Sequence, residues 1–345
     1  MERLLHEIGQ QPDVMRGLLA LQRGAIEDLA AEIRRREVSQ VLIAARGSSD
    51  NAATYAKYLF GMANGLPVAL AAPSMYTLYH STPRLRDTLV IGVSQSGMSP
   101  DIVAVIDDAR QQGMLTVAVT NDENSRLARA SERVIGLLSG EERSVAATKT
   151  YTAELLVLAM LSTALGDDAG RWDQLALLPS AVEATLTLTD AIQSQAERYR
   201  AIDACAVIGR GYNYATSFEA ALKIKELTYT SANPYSSADF LHGPIAVIGS
   251  GYPVMLCAPR GVVIGDMRAM AETVRERGGE LLVISDDEGL LALAHTAVRL
   301  PESVDEWLSP MTTIVPAQVF AGFLAQCKGL DPQRPRGLKK VTETR

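Results

Sequence analysis

Histidine and cysteine are scarce in this chain of 345 residues: four histidines, His6, His80, His242 and His295, and three cysteines, Cys205, Cys257 and Cys327. Neither set has metal-ligand spacing, so no metal and no cofactor is expected. The odd cysteine count, wide separation and mostly apolar contexts predict reduced, buried thiols of a cytoplasmic protein rather than a disulfide framework. An excess of positive charge is also lacking. The formal net charge is −7 and the pI about 5.3, which excludes a global basic field for nucleic acid and leaves an anionic substrate to locally arranged donors. The start, Met1-Glu2-Arg3-Leu4-Leu5-His6-Glu7, has no basic segment ahead of an apolar core, so no signal peptide is expected. Apolar stretches such as 155–165 are too short to span a bilayer, and no membrane partner is expected. Two nucleotide fingerprints are absent as well: there is no Gly-x-Gly-x-x-Gly, and the most phosphate-like turn contains no lysine, so it is not a P-loop.

What is present is apolar material for two cores, with 47% hydrophobic residues, and a long internal repeat. Val41-Leu42-Ile43-Ala44-Ala45-Arg46-Gly47 matches Ala206-Val207-Ile208-Gly209-Arg210-Gly211 in pattern, with Gly47 and Gly211 164 positions apart. Leu115–Asp122 corresponds likewise to Leu281–Asp287. Short apolar strands alternate with amphipathic helices in each half, near 40–45, 67–71, 88–94, 115–120 and 133–137, then near 205–209, 253–258, 280–285 and 297–300. The fold class is therefore α/β, with two tandem doubly wound, flavodoxin-like parallel sheets. The expected organisation is N-terminal helices over 1–35, a first domain over 36–168, a helical connector over 169–200, a second domain over 201–330 and a tail over 331–345. The N-terminal helices read as packing or dimer elements, and Arg34, Arg35 and Arg36 as partners of a helix C-terminus.

In such a fold ligands sit beyond the carboxyl ends of the strands. Two hydroxyl-lined turns follow strands directly. Thr88–Val93 breaks into Ser94-Gln95-Ser96-Gly97-Met98-Ser99-Pro100, which supplies hydroxyls, an amide and close backbone approach beside a helix start; a polar strand-to-helix cap explains the same residues. Gly47-Ser48-Ser49 is the second turn. In the strong helix former 215–229, Glu219, Lys223 and Glu226 share one stripe while Phe218, Ala221, Leu222, Ile224 and Leu227 cover much of the rest. A Glu–Lys pair at that spacing is usually a solvated face, but on a largely buried helix it faces a crevice. His242 stands in the turn Phe240-Leu241-His242-Gly243-Pro244 and would serve as a proton carrier near neutral pH; His80 has weaker context. Lys339 and Lys340 lie in a tail that is either an exposed terminus or a docked segment delivering an amine. Residues 140–150 form a small-residue loop leading into a helix.

Taken in order, these motifs resemble the sugar isomerase (SIS) domain family, and within it the isomerase half of glucosamine-6-phosphate synthases. The likeness runs over nearly the whole chain, from Glu7-Ile8 and Gln11-Pro12 through Gly47-Ser48-Ser49, Ser94-Gln95-Ser96-Gly97, Val145-Ala146-Ala147-Thr148-Lys149, Glu219–Glu226 and His242-Gly243-Pro244 to Pro335-Arg336-Gly337-Leu338-Lys339-Lys340. It implies that Ser94, Gln95, Ser96 and Ser99 bind the sugar phosphate, and that Ser48, Ser49, Val145 and Ala147 line the sugar. It further implies that Glu226 moves a proton between C1 and C2, that His242, given by a neighbouring subunit, assists ring opening, and that Lys340 can form a Schiff base with a ketose. A homodimer with shared sites, acting on a phosphorylated amino sugar or ketose phosphate, follows from the same resemblance.

The chemistry is coherent by itself. Aldose–ketose interconversion needs one carboxylate to take and return a proton, a ring opener, and a phosphate anchor whose binding energy positions the reacting carbons. Four departures bear on the substrate. The 345 residues hold no amidotransferase module with an N-terminal cysteine, so glutamine-dependent synthesis by this chain alone is not expected. Ala72-Pro73-Ser74-Met75 replaces the family's Ser-Glu-Phe segment, Ala147 stands where serine is common, and Leu241 replaces a lysine. The expected activity is deamination and isomerisation of glucosamine 6-phosphate to fructose 6-phosphate and ammonia. Alternatives are a fructosamine-6-phosphate deglycase, the aminotransferring isomerase component of glucosamine-6-phosphate synthesis, and a non-catalytic sugar-phosphate sensor.

Overall fold

Val41, Leu42, Ile43 and Ala44 are buried on both faces of their strand, and the same holds along Thr88–Val93 and Leu115–Thr120. Such continuous apolar runs require a sheet covered on both sides, which parallel crossovers supply. In the computed structural model, which describes residues 1–166, 168–301 and 303–340, the chain divides into two units, each with one five-stranded, all-parallel sheet. The end of the expected tail, from Val341 on, lies outside the described residues.

The first sheet belongs to the unit of residues 13–142, 149–176 and 339–340. Its strands are β1 (Gln40–Ala44), β2 (Val68–Leu70), β3 (Thr88–Val93), β4 (Leu115–Thr120) and β5 (Arg133–Gly136), in the order β2-β1-β3-β4-β5. The Lys149–Gly166 helix packs against both Ser48–Asn64 and Arg23–Arg35 and is buried from Lys149 to Ala164, which explains why its sequence shows no polar face. Arg34 donates to the carbonyl of Ala164 at 2.8 Å, satisfying a C-terminal acceptor of that helix rather than of its own.

The second sheet belongs to the unit of residues 1–12, 143–148 and 177–338. Its strands are β6 (Ala204–Gly209), β7 (Ser231–Ser236), β8 (Pro253–Cys257), β9 (Glu280–Ser285) and β10 (Thr296–Arg299), in the order β7-β6-β8-β9-β10. Read by position in the repeat, this is the arrangement of the first sheet, the flavodoxin-like 2-1-3-4-5. The Asn213–Thr228 helix packs on the Ser309–Cys327 helix, which is buried from Ser309 to Ala325, and Glu2–Gly9 packs on the latter as well. Gly322 makes that last contact feasible, since a Cβ there would lie 2.6 Å from the Met1 side chain.

One strand escaped the sequence reading. β7, Ser-Ala-Asn-Pro-Tyr-Ser, has no apolar run, and Pro234 argues against a strand. It survives because it is an edge: it pairs with β6 alone, Val207 opposite Pro234, and edge strands are where sheets tolerate proline. Among the thiols, Cys205 and Cys257 are buried, and burial raises both to about 12; Cys327 is only half-buried, unlike the expectation. Among the described residues no single helix is long and apolar enough to cross a membrane.

Candidate active site

In the first unit the carboxyl ends of β1 and β3 carry the two hydroxyl-lined turns. After β3 the Ser94 N–H still donates to the Val119 carbonyl at 3.0 Å, and the chain then leaves the sheet. Ser94 Oγ accepts from the Gly97 amide at 3.2 Å, and Ser96 Oγ accepts from Met98 N at 3.3 Å. Gly97 is left-handed, with φ 60°, and a Cβ there would fall 2.1 Å from Ser125 Oγ. Ser99 sits at the N-cap of the Pro100–Gln111 helix, yet its side chain makes no capping bond. Pro100 fills the first turn, where its missing N–H is harmless. The turn is thus held by its backbone and by Ser94 and Ser96, while Gln95, Ser96 and Ser99 remain half-buried at the surface.

After β1, Gly47 takes φ 57° and ψ −130° and starts the Ser48–Asn64 helix. Ser48 is half-buried. Ser49 is buried, and its hydroxyl donates to Glu154 Oε1 at 2.7 Å, so it already has an internal role. Arg46, just before this turn, donates through Nε to the fully buried Asp101 at 2.9 Å, tying the β1 turn to the helix that follows the phosphate-like turn. The sequence reading missed this pair although the repeat carries a signal for it. Arg210 and Asp266, 164 and 165 positions further on, pair at 3.6 Å in the second unit.

Within the same first unit, Lys340 Nζ donates to Glu142 Oε2 at 2.7 Å. Of the tail's two lysines it is the one that docks on a buried carboxylate, and Glu142 was not among the residues singled out from sequence.

The second unit holds the charged stripe. Lys223 is 1% exposed and lies 3.3 Å from Glu219 Oε1 and 2.6 Å from Glu226 Oε2; Glu219 is 0% and Glu226 23% exposed. Burial opposes the charge on Lys223, but the carboxylates of Glu219 and Glu226 outweigh it and hold the ammonium above the ordinary lysine range. Two carboxylates therefore share one fixed cation, and of the two only Glu226 reaches solvent. A largely buried face of the helix, not a solvated one, carries the stripe.

His242 follows the short Ser237–Leu241 helix, whose N-cap Ser236 accepts from Asp239 N. Its imidazole is exposed, and Gly243, with φ 138°, turns the chain into Pro244. The missed strand β7 is what delivers the chain to this point. Val145 and Ala147 are half-exposed and alternate with buried Ser144, Ala146 and Thr148. Their loop is fastened by Glu7, whose carboxylate accepts from Arg143 N at 2.6 Å and Ser144 N at 3.1 Å, and by Gln318, which donates to the Thr148 carbonyl at 3.4 Å. His80 lies in an exposed loop with φ 49°.

Comparisons with known proteins agree with this architecture. The sequence profile of the SIS domain matches residues 36–164 and 200–325. The isomerizing glutamine–fructose-6-phosphate aminotransferase of Thermococcus kodakarensis is 34% identical over 348 residues, covering 98% of this chain and 57% of that protein. The chain thus spans little more than half the length of this relative. A Silicibacter pomeroyi structure described as a phosphosugar isomerase superposes with TM-score 0.85 at 34% identity, over 96% of this chain and 99% of that one. The C-terminal domain of glucosamine-fructose-6-phosphate aminotransferase from Francisella tularensis gives TM-score 0.89 at 24% identity, over 96% and 98%.

Proposed function

Because this chain belongs to the SIS domain family, we propose that it is an amino-sugar-phosphate deaminase and isomerase converting glucosamine 6-phosphate to fructose 6-phosphate and ammonia. The carrying observation is the Glu219–Lys223–Glu226 cluster: a fixed ammonium orients one carboxylate whose remaining surface reaches solvent. That is the group the reaction needs. Glu226 takes the proton from C2 of the open-chain amino aldose and returns it to C1 while one amine proton passes to O1, and water hydrolyses the resulting C2 imine to the ketose and ammonia.

The other roles follow the resemblance residue by residue. Ser94, Gln95, Ser96 and Ser99 bind the phosphate, a reading supported by a turn whose backbone is already braced without Ser99. Ser48, Ser49, Val145 and Ala147 line the sugar, His242 opens the ring, and Lys340 captures the ketose. The same resemblance carries a homodimer in which the exposed imidazole of His242 serves the neighbouring copy.

The test is amine release from a panel of phosphorylated amino sugars and glycated amino acids. Ammonia from glucosamine 6-phosphate, reduced by about 10²–10⁴ in Glu226→Gln, is the expected result. Release of an amino acid instead would establish a deglycase. Binding of the sugar phosphates without any turnover would establish a sensor and end the enzymatic reading.

A further inference from the structure

Glu142 is a carboxylate with 0% side-chain exposure at the end of a surface loop. Its Oε1 accepts from Thr150 N at 3.2 Å, and its Oε2 accepts from Thr150 Oγ1 and from Lys340 Nζ, each at 2.7 Å. Burial of such a charge is unfavourable unless it is paired and hydrogen-bonded. The Thr150 bonds lock the carboxylate to the first residues of the Lys149–Gly166 helix, whose position the surrounding helices fix. The partner lies 198 residues away in sequence, on a tail with Pro335 and Gly337 close before it. An undocked lysine there would sample many rotamers and much tail conformation.

We propose that Glu142 is the positioning residue of Lys340: it docks the C-terminal segment and holds the amine as an ammonium against a fixed carboxylate, ready for a ketose phosphate. The inference rests on the proposed function for the identity of the carbonyl partner. Condensation then runs with the pair as its own proton store. The ammonium passes one proton to Glu142, the Lys340 nitrogen bonds to C2, and the C2 oxygen leaves as water, taking that proton and a second one from nitrogen. The product is a protonated Schiff base. One positive charge exists before and after, and Glu142, neutral while it stores the proton, is its counter-ion at both ends of the step.

Two readouts on the full-length protein test this. Trypsin cleavage after Arg336 and Lys339 reports docking: Glu142→Gln, a neutral isostere, should be cut about fivefold faster or more, with the rest of the chain unaffected. Lys340→Met should free the same bonds while leaving the carboxylate in place, which guards against a folding defect in the first variant. Borohydride trapping of fructose 6-phosphate on Lys340, read by peptide mass, should fall about tenfold or more in Glu142→Gln and recover partly in Glu142→Asp. Equal cleavage and equal trapping in wild type and Glu142→Gln would overturn the proposal. Glu142-dependent cleavage without an adduct in the wild type would leave the dock standing and remove the ketose as its purpose.

Discussion

At Gly97 the chain has no room for one more carbon. The residue needs φ 60°, which alanine adopts only with strain, and an added Cβ would meet Ser125 Oγ at 2.1 Å. Ser125 cannot retreat freely, because its hydroxyl accepts from Ala128 N and caps the Arg126–Ala130 helix. Gly97→Ala is therefore expected to cost about 1–3 kcal/mol and to raise KM for the sugar phosphate more than it lowers kcat, as denaturation and steady-state kinetics would show. Residue types at this scale were legible: hydroxyls, an amide and a glycine between a strand and a helix announce a turn of this kind. The burial of Glu142 was not, since Glu141 and Glu142 read alike in sequence while one is exposed and the other enclosed.

Elements were legible where their burial is continuous and illegible where pairing alone makes them. β4 and β9 sit where the apolar runs placed them; β7 is a strand only because β6 offers an unpaired edge. Short elements depend on caps instead. Asp287 accepts from Leu290 N at 2.8 Å to cap the Glu288–Leu291 helix and takes Arg268 on both oxygens. The Arg268 hydrogen bond, against a smaller opposing effect of burial, holds the Asp287 carboxyl below its ordinary range. A depressed folded-state pKa contributes stability that is present above the unfolded value and lost as pH falls through the folded one. Asp287→Ala should lower stability by about 1–2 kcal/mol near neutrality, and the gap in Tm from wild type should narrow below about pH 4.

At the scale of the molecule, the units are not continuous stretches of chain. Residues 1–12 and 143–148 belong with the second sheet, and Lys339 and Lys340 with the first. Glu7 shows the consequence within one unit, joining the first helix to a loop 136 positions later through two backbone amides. Glu7→Ala leaves those amides without their acceptor. The expected cost is about 1–3 kcal/mol, with a higher KM because Val145 and Ala147 lose their fastening; chemical denaturation and kinetics check both. The repeat announced two sheets of one order, and it also carried the Arg46–Asp101 and Arg210–Asp266 pairs at its own offset. It could not announce which remote segments each sheet would collect.

The sequence by itself determined the alternation of strand and helix, the doubly wound order in both halves, the hydroxyl-lined turns and the spacing of Glu219, Lys223 and Glu226. These are local or periodic properties, set by side-chain period, apolar continuity and turn chemistry over a few residues. Only the tertiary structure decided that Lys223 is sealed between two carboxylates, that Ser49 is engaged by Glu154, that a proline-bearing segment becomes the edge strand leading to His242, and that Lys340 meets Glu142. Burial and pairing between residues far apart in the chain depend on which elements pack together, and no short window of sequence encodes that.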